Sequence, residues 1–262
     1  MTKASHYRRP TSLLHELGIT EPEDIWLEAI AEHCDATIVY RPIEGAEARI
    51  LGYKDRAIIT VNSRSPVGRQ RFSGGHELGH WLIDRGQISF SCTAKMFAGE
   101  WRENNPERRA NLYAAELLLP EFMFEPRAKN KPVTFASVEE LAGVFKTSLT
   151  ATAIRLVEHG SFPAMIVCNE LGRRKWLMRG PDVPKDLWPL EQPRCDSVAF
   201  DLLRGKAKVT GPIEVYADQW IDHHDSHRYG IIEDSVKLSG NLVLSLLWWK
   251  NERQLLDLET DE

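Results

Sequence analysis

Two histidines and a glutamate lie together in the stretch Gly74-Gly75-His76-Glu77-Leu78-Gly79-His80. On an α-helix, residues four apart lie one turn apart, about 6 Å along the axis and about 40° around it. The imidazoles of His76 and His80 can therefore meet one metal ion from the same side. Glu77 can point at the same ion without ligating it. Two neutral nitrogen ligands with a carboxylate base beside a bound water are what a metal hydrolase needs.

Three glycines accompany this motif, at positions 74, 75 and 79. Each costs about 1 kcal/mol relative to alanine inside a helix, so a plain surface helix with incidental histidines would not be expected to contain them. We therefore predict that another backbone, or a substrate, approaches this helix closely.

A catalytic zinc ion needs a third protein ligand and one open position. Glu107 can supply that ligand, and Asn111, on the same helix face, can accept a hydrogen bond from the distal nitrogen of a ligand histidine. Glu116 is a rival ligand, although it lies within the apolar run Ala114–Leu119. These assignments leave the fourth position of the metal open for water.

Hydrolysis at such a site also needs a base and a donor to the oxyanion that forms. Glu77 is the predicted base, which accepts the proton of the attacking water and returns it to the leaving amine. Tyr53, Tyr113 and the metal itself are candidate oxyanion donors, and the sequence does not choose among them. One strand of the segment 36–62 is expected to form a sheet edge beside the cleft, where an extended substrate can pair with it, as in an endopeptidase.

The two motifs together resemble the IrrE/ImmA family of HExxH zinc metallopeptidases. HELGH is followed by Glu-x-x-x-Asn-x-x-Ala-Ala-Glu-Leu-Leu-x-Pro, and the approach Ile59-Thr60-Val61-Asn62 … Arg69-Gln70-Arg71-Phe72-Ser73 is similar too. The resemblance covers roughly residues 30–125. It implies that His76, His80 and Glu107 hold zinc and that Glu77 is catalytic. It also implies a cytoplasmic peptidase that cleaves a DNA-binding repressor, which relieves repression under stress or during mobile-element induction.

The elements that must position these residues follow from periodicity and caps. Helices are predicted at Gln70–Arg85 and Pro106–Leu119, the second capped by Asn105 and ended by Pro120. Before them, an amphipathic helix should end near His33. Strands are predicted next, as a meander, at Ala36–Tyr40, Ala48–Gly52 and Arg56–Asn62.

The remainder of the chain changes character twice. Residues 126–135 are predicted to be a linker, and Ser137–Gly160 a pair of helices with helix-turn-helix proportions, which begin at a capping box on Ser137 and at Ser148. Arg155 is the main cation there, so we expect weak, non-specific DNA binding and favour packing or repressor docking. Strands are predicted to follow at Ala164–Asn169, Arg174–Arg179, Pro212–Trp220, Tyr229–Leu238 and Leu242–Trp249.

The predicted fold class is therefore α+β, in three segments. Residues 1–125 form a zincin-like metallopeptidase domain, a small sheet plus the HExxH helix. Residues 126–160 form a helix-turn-helix-like segment. Residues 161–262 form a C-terminal mixed α/β domain, for which a sensor-like role is one reading.

Composition narrows the class of protein. The chain has 262 residues, of which 42% are hydrophobic and 27% charged, which excludes a wholly disordered or fibrous chain. Its net charge of −5 argues against a generally basic, phosphate-binding surface. Apolar runs fall short of the roughly 20 residues of a spanning helix, and no secretory signal is apparent. Four dispersed cysteines fit a reducing cytoplasm.

The sequence thus predicts a cytoplasmic, zinc-dependent endopeptidase with one zinc ion per chain. The resemblance to the IrrE/ImmA family implies that it is of regulatory type and that its substrate is a helix-turn-helix repressor. The alternatives are a non-catalytic DNA-binding or protein-binding regulator, and a toxin-like partner of a two-gene cassette, each with a structural metal site. The presence of Glu77 favours the enzyme, because a structural site has no use for a base. The ligand types favour zinc but also suit other divalent metals.

Overall fold

The computed structural model describes residues 8–84, 91–92, 105–206, 211–238 and 241–255. Its helices are α1 (Pro10–Glu16), α2 (Leu27–His33), α3 (Val67–Ile83), α4 (Pro106–Leu118), α5 (Glu121–Ala128), α6 (Phe135–Phe145), α7 (Leu149–His159) and α8 (Val198–Leu203). Its strands are β1 (Ala36–Arg41), β2 (Ala48–Tyr53), β3 (Arg56–Asn62), β4 (Ser91–Cys92), β5 (Ala164–Glu170), β6 (Arg173–Arg179), β7 (Ile213–Tyr216), β8 (Gly230–Lys237) and β9 (Val243–Trp248). The mixture of helices and sheets confirms the α+β class.

The chain divides into two compact units. The first consists of Met1–Phe124 and Ala142–Ala151, and the second of Glu125–Leu141 and Thr152–Glu262. The three-segment division with boundaries after residues 125 and 160 stays a prediction. Within the described ranges, no helix combines the length and the apolar character needed to cross a membrane.

The sheet of the first unit has the strand order β1-β3-β2-β4. β2 and β3 form an antiparallel hairpin, whereas β1 pairs with β3 in parallel, with Ala36 opposite Ala57. The predicted meander is therefore wrong. The physical reason is that the link of residues 42–47 can span two strand spacings, about 10 Å, which leaves room for β3 between β1 and β2.

One face of this sheet packs against α3. Alternate residues of the central strand β3, including Ile59 and Val61, are fully buried, as period-two alternation requires. A Cβ atom added to Gly74 of α3 would lie 3.1 Å from Leu27 and 3.6 Å from Val61. Because Gly74 has no side chain, α3 can pack closely on the sheet. The helix begins three residues before its predicted start.

Helix α4 begins as its sequence predicts. The side chain of Asn105 accepts a hydrogen bond from the backbone N–H of Glu107 at 3.0 Å, and Pro106 occupies the first turn, where no N–H is needed. The helix ends at Leu118, shortly before Pro120. This cap confirms the prediction for Asn105 and fixes where Glu107 enters the helix.

The segment after α4 departs from prediction at two points. Helix α5 continues through Pro126 to Ala128, so the predicted linker begins too early. Helix α6 begins at Phe135, because Thr134 rather than Ser137 is the cap: the Thr134 hydroxyl accepts from the N–H of Ser137 at 3.3 Å. The helical pair itself is present as α6 and α7. Its resemblance to a DNA-binding helix-turn-helix stays a prediction.

The second unit contains an antiparallel five-stranded sheet with the order β6-β5-β9-β8-β7. All five predicted strands are present, although β7 is cut short by a 3-10 turn at Ala217–Gln219. Helix α8 was not predicted, since it follows a proline-rich connection. The core of the unit is apolar and includes Trp220, Trp249, Val167 and Leu247.

Candidate metal centre

The structure brings His76, His80 and Glu107 together. The two Nε2 atoms lie 3.1 Å apart, and the Glu107 carboxylate lies 3.2 Å from His76 Nε2 and 3.3 Å from His80 Nε2. Both imidazoles come from α3, and the carboxylate comes from the first turn of α4. Within the described part of the chain, this trio is one of the groups whose ligand atoms lie within 4.8 Å of one another.

These three side chains fit a divalent metal ion. Ligands that lie 2.0–2.1 Å from a tetrahedral zinc ion are about 3.3 Å from one another, close to the separations found here. Two imidazole nitrogens with a carboxylate are also a donor set that catalytic zinc sites use. The arrangement therefore has the spacing and the chemistry of a zinc site before any ion is added.

Within the trio, the pKa of the acid is lowered and the pKa of His80 is raised. Burial acts to raise the pKa of Glu107, but hydrogen bonds from His76 and His80 outweigh it and lower that pKa to about 2. Burial acts to lower the pKa of His80, yet hydrogen bonds with Glu107 and Asp84 raise it overall.

Asn111 lies where the sequence placed it. The Nδ1–H of His76 donates to Asn111 Oδ1 at 2.8 Å, across the interface between α3 and α4. This bond leaves His76 Nε2 as the nitrogen that faces Glu107. The amide thus holds one imidazole in the tautomer that a metal ligand needs.

Sequence reasoning missed the corresponding partners of His80. Its Nδ1 lies 3.2 Å from Asp84 Oδ2, and Arg109 Nη2 lies 2.6 Å from Asp84 Oδ1. Asp84 follows His80 by four residues, so the same helical spacing that revealed the two histidines could have revealed it. Arg109 left no such signal, because its contact depends on how α4 packs.

Glu77 is fully buried in α3, beside the metal candidates in sequence. Its negative charge contributes to the raised pKa of His80, which means that the two side chains interact electrostatically. The role of Glu77 as the general base stays a prediction.

The glycines of the motif allow α3 and α4 to approach closely. A Cβ atom on Gly79 would lie 3.0 Å from Tyr113 Cβ and 3.2 Å from Ala110 Cα, whereas one on Gly75 would make an ordinary contact with Ala114 at 3.4 Å. The predicted close approach of another backbone is therefore confirmed at Gly79. This approach is what brings Glu107 within reach of both histidines.

The other predicted site residues, Glu116, Tyr53 and Tyr113, are not part of the trio of ligand-type side chains. Glu116 is turned towards α1, where Thr11 donates to its Oε1 at 2.9 Å. Tyr53 is 73% exposed at the end of β2, with the ammonium of Lys54 over its ring. Tyr113 is buried against Gly79. An oxyanion role for either tyrosine stays a prediction.

Comparisons with known proteins agree with this geometry. Residues 31–157 match the model of the IrrE N-terminal-like domain, a peptidase family. A curated relative, the radiation response metalloprotease IrrE of Deinococcus radiodurans, is 28% identical over 121 residues, which cover 44% of this chain and 37% of that protein. The match thus spans little more than a third of the length of that relative.

A solved structure shares the fold more widely. A Mycobacterium tuberculosis transcriptional regulator superposes with a TM-score of 0.58 over 93% of this chain and 78% of that one, at 13% identity. At this identity the likeness concerns the fold alone. The match over residues 31–157 contains His76, Glu77, His80 and Glu107, and together with the curated relative it supports an assignment of this part of the chain to the IrrE/ImmA family.

Proposed function

We propose that this protein is a zinc-dependent endopeptidase of regulatory type. The observation that carries the proposal is the convergence of His76 Nε2, His80 Nε2 and the Glu107 carboxylate within 3.3 Å of one another, with Glu77 buried on the same helix. The IrrE N-terminal-like domain and the metalloprotease named among its relatives support the same reaction class.

Each side chain of the centre has a part in hydrolysis. A divalent metal bound there supplies Lewis-acid activation of a water molecule and of the scissile carbonyl. Glu77 accepts the proton of the attacking water and delivers it to the leaving amine. Asn111 keeps the Nδ1 of His76 protonated, so that Nε2 keeps its lone pair for the metal.

The proposed substrate is a DNA-binding repressor of the helix-turn-helix class, cleaved in the cytoplasm to relieve repression. Its support is the family resemblance and the name of the curated relative, a radiation response metalloprotease. An extended segment of the substrate would pair with an edge of the sheet, where β1 is the outermost strand on one side. The helices α6 and α7 offer few cations, which favours docking of protein over tight binding of DNA.

The test is incubation with the repressor encoded by an adjacent gene. Wild-type protein with zinc should cleave it, chelator should stop cleavage, and zinc should restore it. Glu77→Gln should keep metal and repressor binding but lose a factor on the order of 10² or more in rate, since general base catalysis supplies about 10²–10⁴.

The same variant separates the enzyme from its alternatives. A non-catalytic regulator, or a toxin-like partner with a structural metal site, acts by binding. If Glu77→Gln complements a deletion strain as well as wild type does, the peptidase proposal is wrong.

A further inference from the structure

We propose that Asp84 and Arg109 form a clamp that positions His80 for the metal and sets metal affinity. The inference rests on the metal site of the proposed function, which does not itself involve these two residues. His80 Nδ1 lies 3.2 Å from Asp84 Oδ2, and the guanidinium of Arg109 donates to the other carboxylate oxygen at 2.6 Å. The three side chains form a continuous chain of charge-assisted hydrogen bonds.

The contact with Asp84 determines the tautomer of His80. An imidazole that donates from Nδ1 presents the lone pair of Nε2 to a metal, and the carboxylate that accepts the bond increases the basicity of that nitrogen. His80 is fully buried and Asp84 is 9% exposed, so water competes little for this bond. Asp84 therefore fixes both the orientation and the donor strength of His80.

Helix α4 reaches both ends of the His80 imidazole: Glu107 lies 3.3 Å from Nε2, and Arg109, two residues later, holds the carboxylate at Nδ1. His80 thus lies between two carboxylates. Helix α4 supplies that of Glu107 and contacts that of Asp84 through Arg109. A shift of α4 relative to α3 would disturb Glu107 and Asp84 together, so Arg109 also fixes the position of the third ligand.

The two histidines differ in the partner of their Nδ1 atoms. His76 donates to the amide oxygen of Asn111 at 2.8 Å, whereas the Nδ1 of His80 lies 3.2 Å from a carboxylate oxygen of Asp84. A carboxylate with 7% of its side chain exposed is costly unless it is paired. Arg109 supplies that pairing, which explains why the negative charge is tolerated beside a second acid.

The experiment measures zinc affinity by competition with a chromophoric chelator. Asp84→Asn and Arg109→Gln should each weaken zinc binding by about 10–100-fold, as loss of outer hydrogen-bonding partners does at other sites. The double variant should lose no more than the worse single variant, because both substitutions break one chain. The absorption spectrum of bound cobalt(II) should change in both, which reports altered ligand geometry.

Matched controls come from the ion pair of Arg69 with Glu47, 3.2 Å apart in the same unit, in which Arg69 lies on α3 seven residues before His76. Arg69→Gln and Glu47→Gln remove the same charges and should leave the zinc affinity within about twofold of wild type, as expected of a surface pair. Melting of the metal-free proteins checks that every variant is folded. If Asp84→Asn fails to fold, Arg109→Gln still decides the question, because the Arg109 side chain is 37% exposed and its replacement is better tolerated.

The outcomes separate the clamp from the proposed function. Wild-type affinity in both Asp84→Asn and Arg109→Gln, together with lost binding in His76→Ala, would overturn the clamp and leave the peptidase standing. Losses that multiply in the double variant, or equal losses in the controls, would also overturn it. Wild-type protein that binds no divalent metal would overturn both.

Discussion

A part-buried carboxylate of the first unit, Glu107, and a fully buried one of the second unit, Glu233, have different partners. In the first unit, Glu107 faces the nitrogens of His76 and His80, each of which has a second partner at its other nitrogen. In the second unit, Glu233 is fully buried and accepts from the backbone N–H of Ala199 at 2.8 Å.

The rest of the surroundings of Glu233 is also structural. The carboxylate accepts from the N–H of Val198 and from the Ser235 hydroxyl, which also contacts Ser245. Glu233 therefore caps the start of α8. Burial alone does not mark a functional acid. A carboxylate whose partners are backbone donors secures the fold, whereas one whose partners are ligand-type nitrogens is prepared for a cation.

The largest expected effect is on metal content. Glu107→Gln should abolish stoichiometric zinc binding, because an amide is a poor third ligand beside two imidazoles. Glu233→Gln and Glu116→Gln should each retain one ion per chain. Elemental analysis of the purified variants checks this, and full occupancy in Glu107→Gln would move the third ligand elsewhere.

The free energy of unfolding should respond in the reverse order, with a larger loss in Glu233→Gln than in Glu107→Gln. Glu233→Gln should lower the free energy of unfolding by about 2–3 kcal/mol, since one amide oxygen cannot serve two backbone N–H groups and a buried hydroxyl. Glu107→Gln, compared in chelated protein, should cost less. Chemical denaturation curves measure both, and equal losses would contradict the distinction between the two carboxylates.

A smaller effect should distinguish two glycines of α3. Gly79→Ala must displace the backbone of α4, so we expect a loss of about 1–2 kcal/mol with weaker zinc binding. Gly75→Ala meets Ala114 and the end of the Leu118 side chain at ordinary contact distances, and should be neutral or stabilising by up to about 1 kcal/mol. Thermal melts and zinc titrations of the pair check this. Equal behaviour would refute the role assigned to the close approach at Gly79.

The smallest expected effect concerns thiols of the second unit. Burial raises the pKa of Cys168 to about 11, so its thiol stays protonated and unreactive near neutral pH. Cys195 is exposed. Peptide mapping after brief alkylation should find Cys195 modified well before Cys168, and similar rates would mean that β5 opens readily.

Local patterns carried much of the prediction. Four-residue spacing placed His76 and His80 on one face, and Asn105 capped α4 as expected, because both depend on neighbours in the chain. The capping pattern predicts the wrong residue at Ser137, because Thr134 caps α6 instead. Asp84 was overlooked, although its four-residue spacing from His80 was identical.

What the sequence could not supply depends on tertiary packing. The contact between Arg109 and Asp84 joins residues 25 apart in the chain and depends on how α4 packs against α3. The parallel pairing of β1 with β3 likewise depends on strand order, which alternation of apolar residues does not encode.

The central claim is that His76, His80 and Glu107 hold one catalytic metal ion. Anomalous diffraction at the zinc edge, from crystals of the zinc-loaded protein, tests it most directly. The account predicts one strong peak about 2.0–2.2 Å from both Nε2 atoms and from a Glu107 oxygen. A peak at other residues, or none at this site in protein that cleaves its substrate, would contradict it.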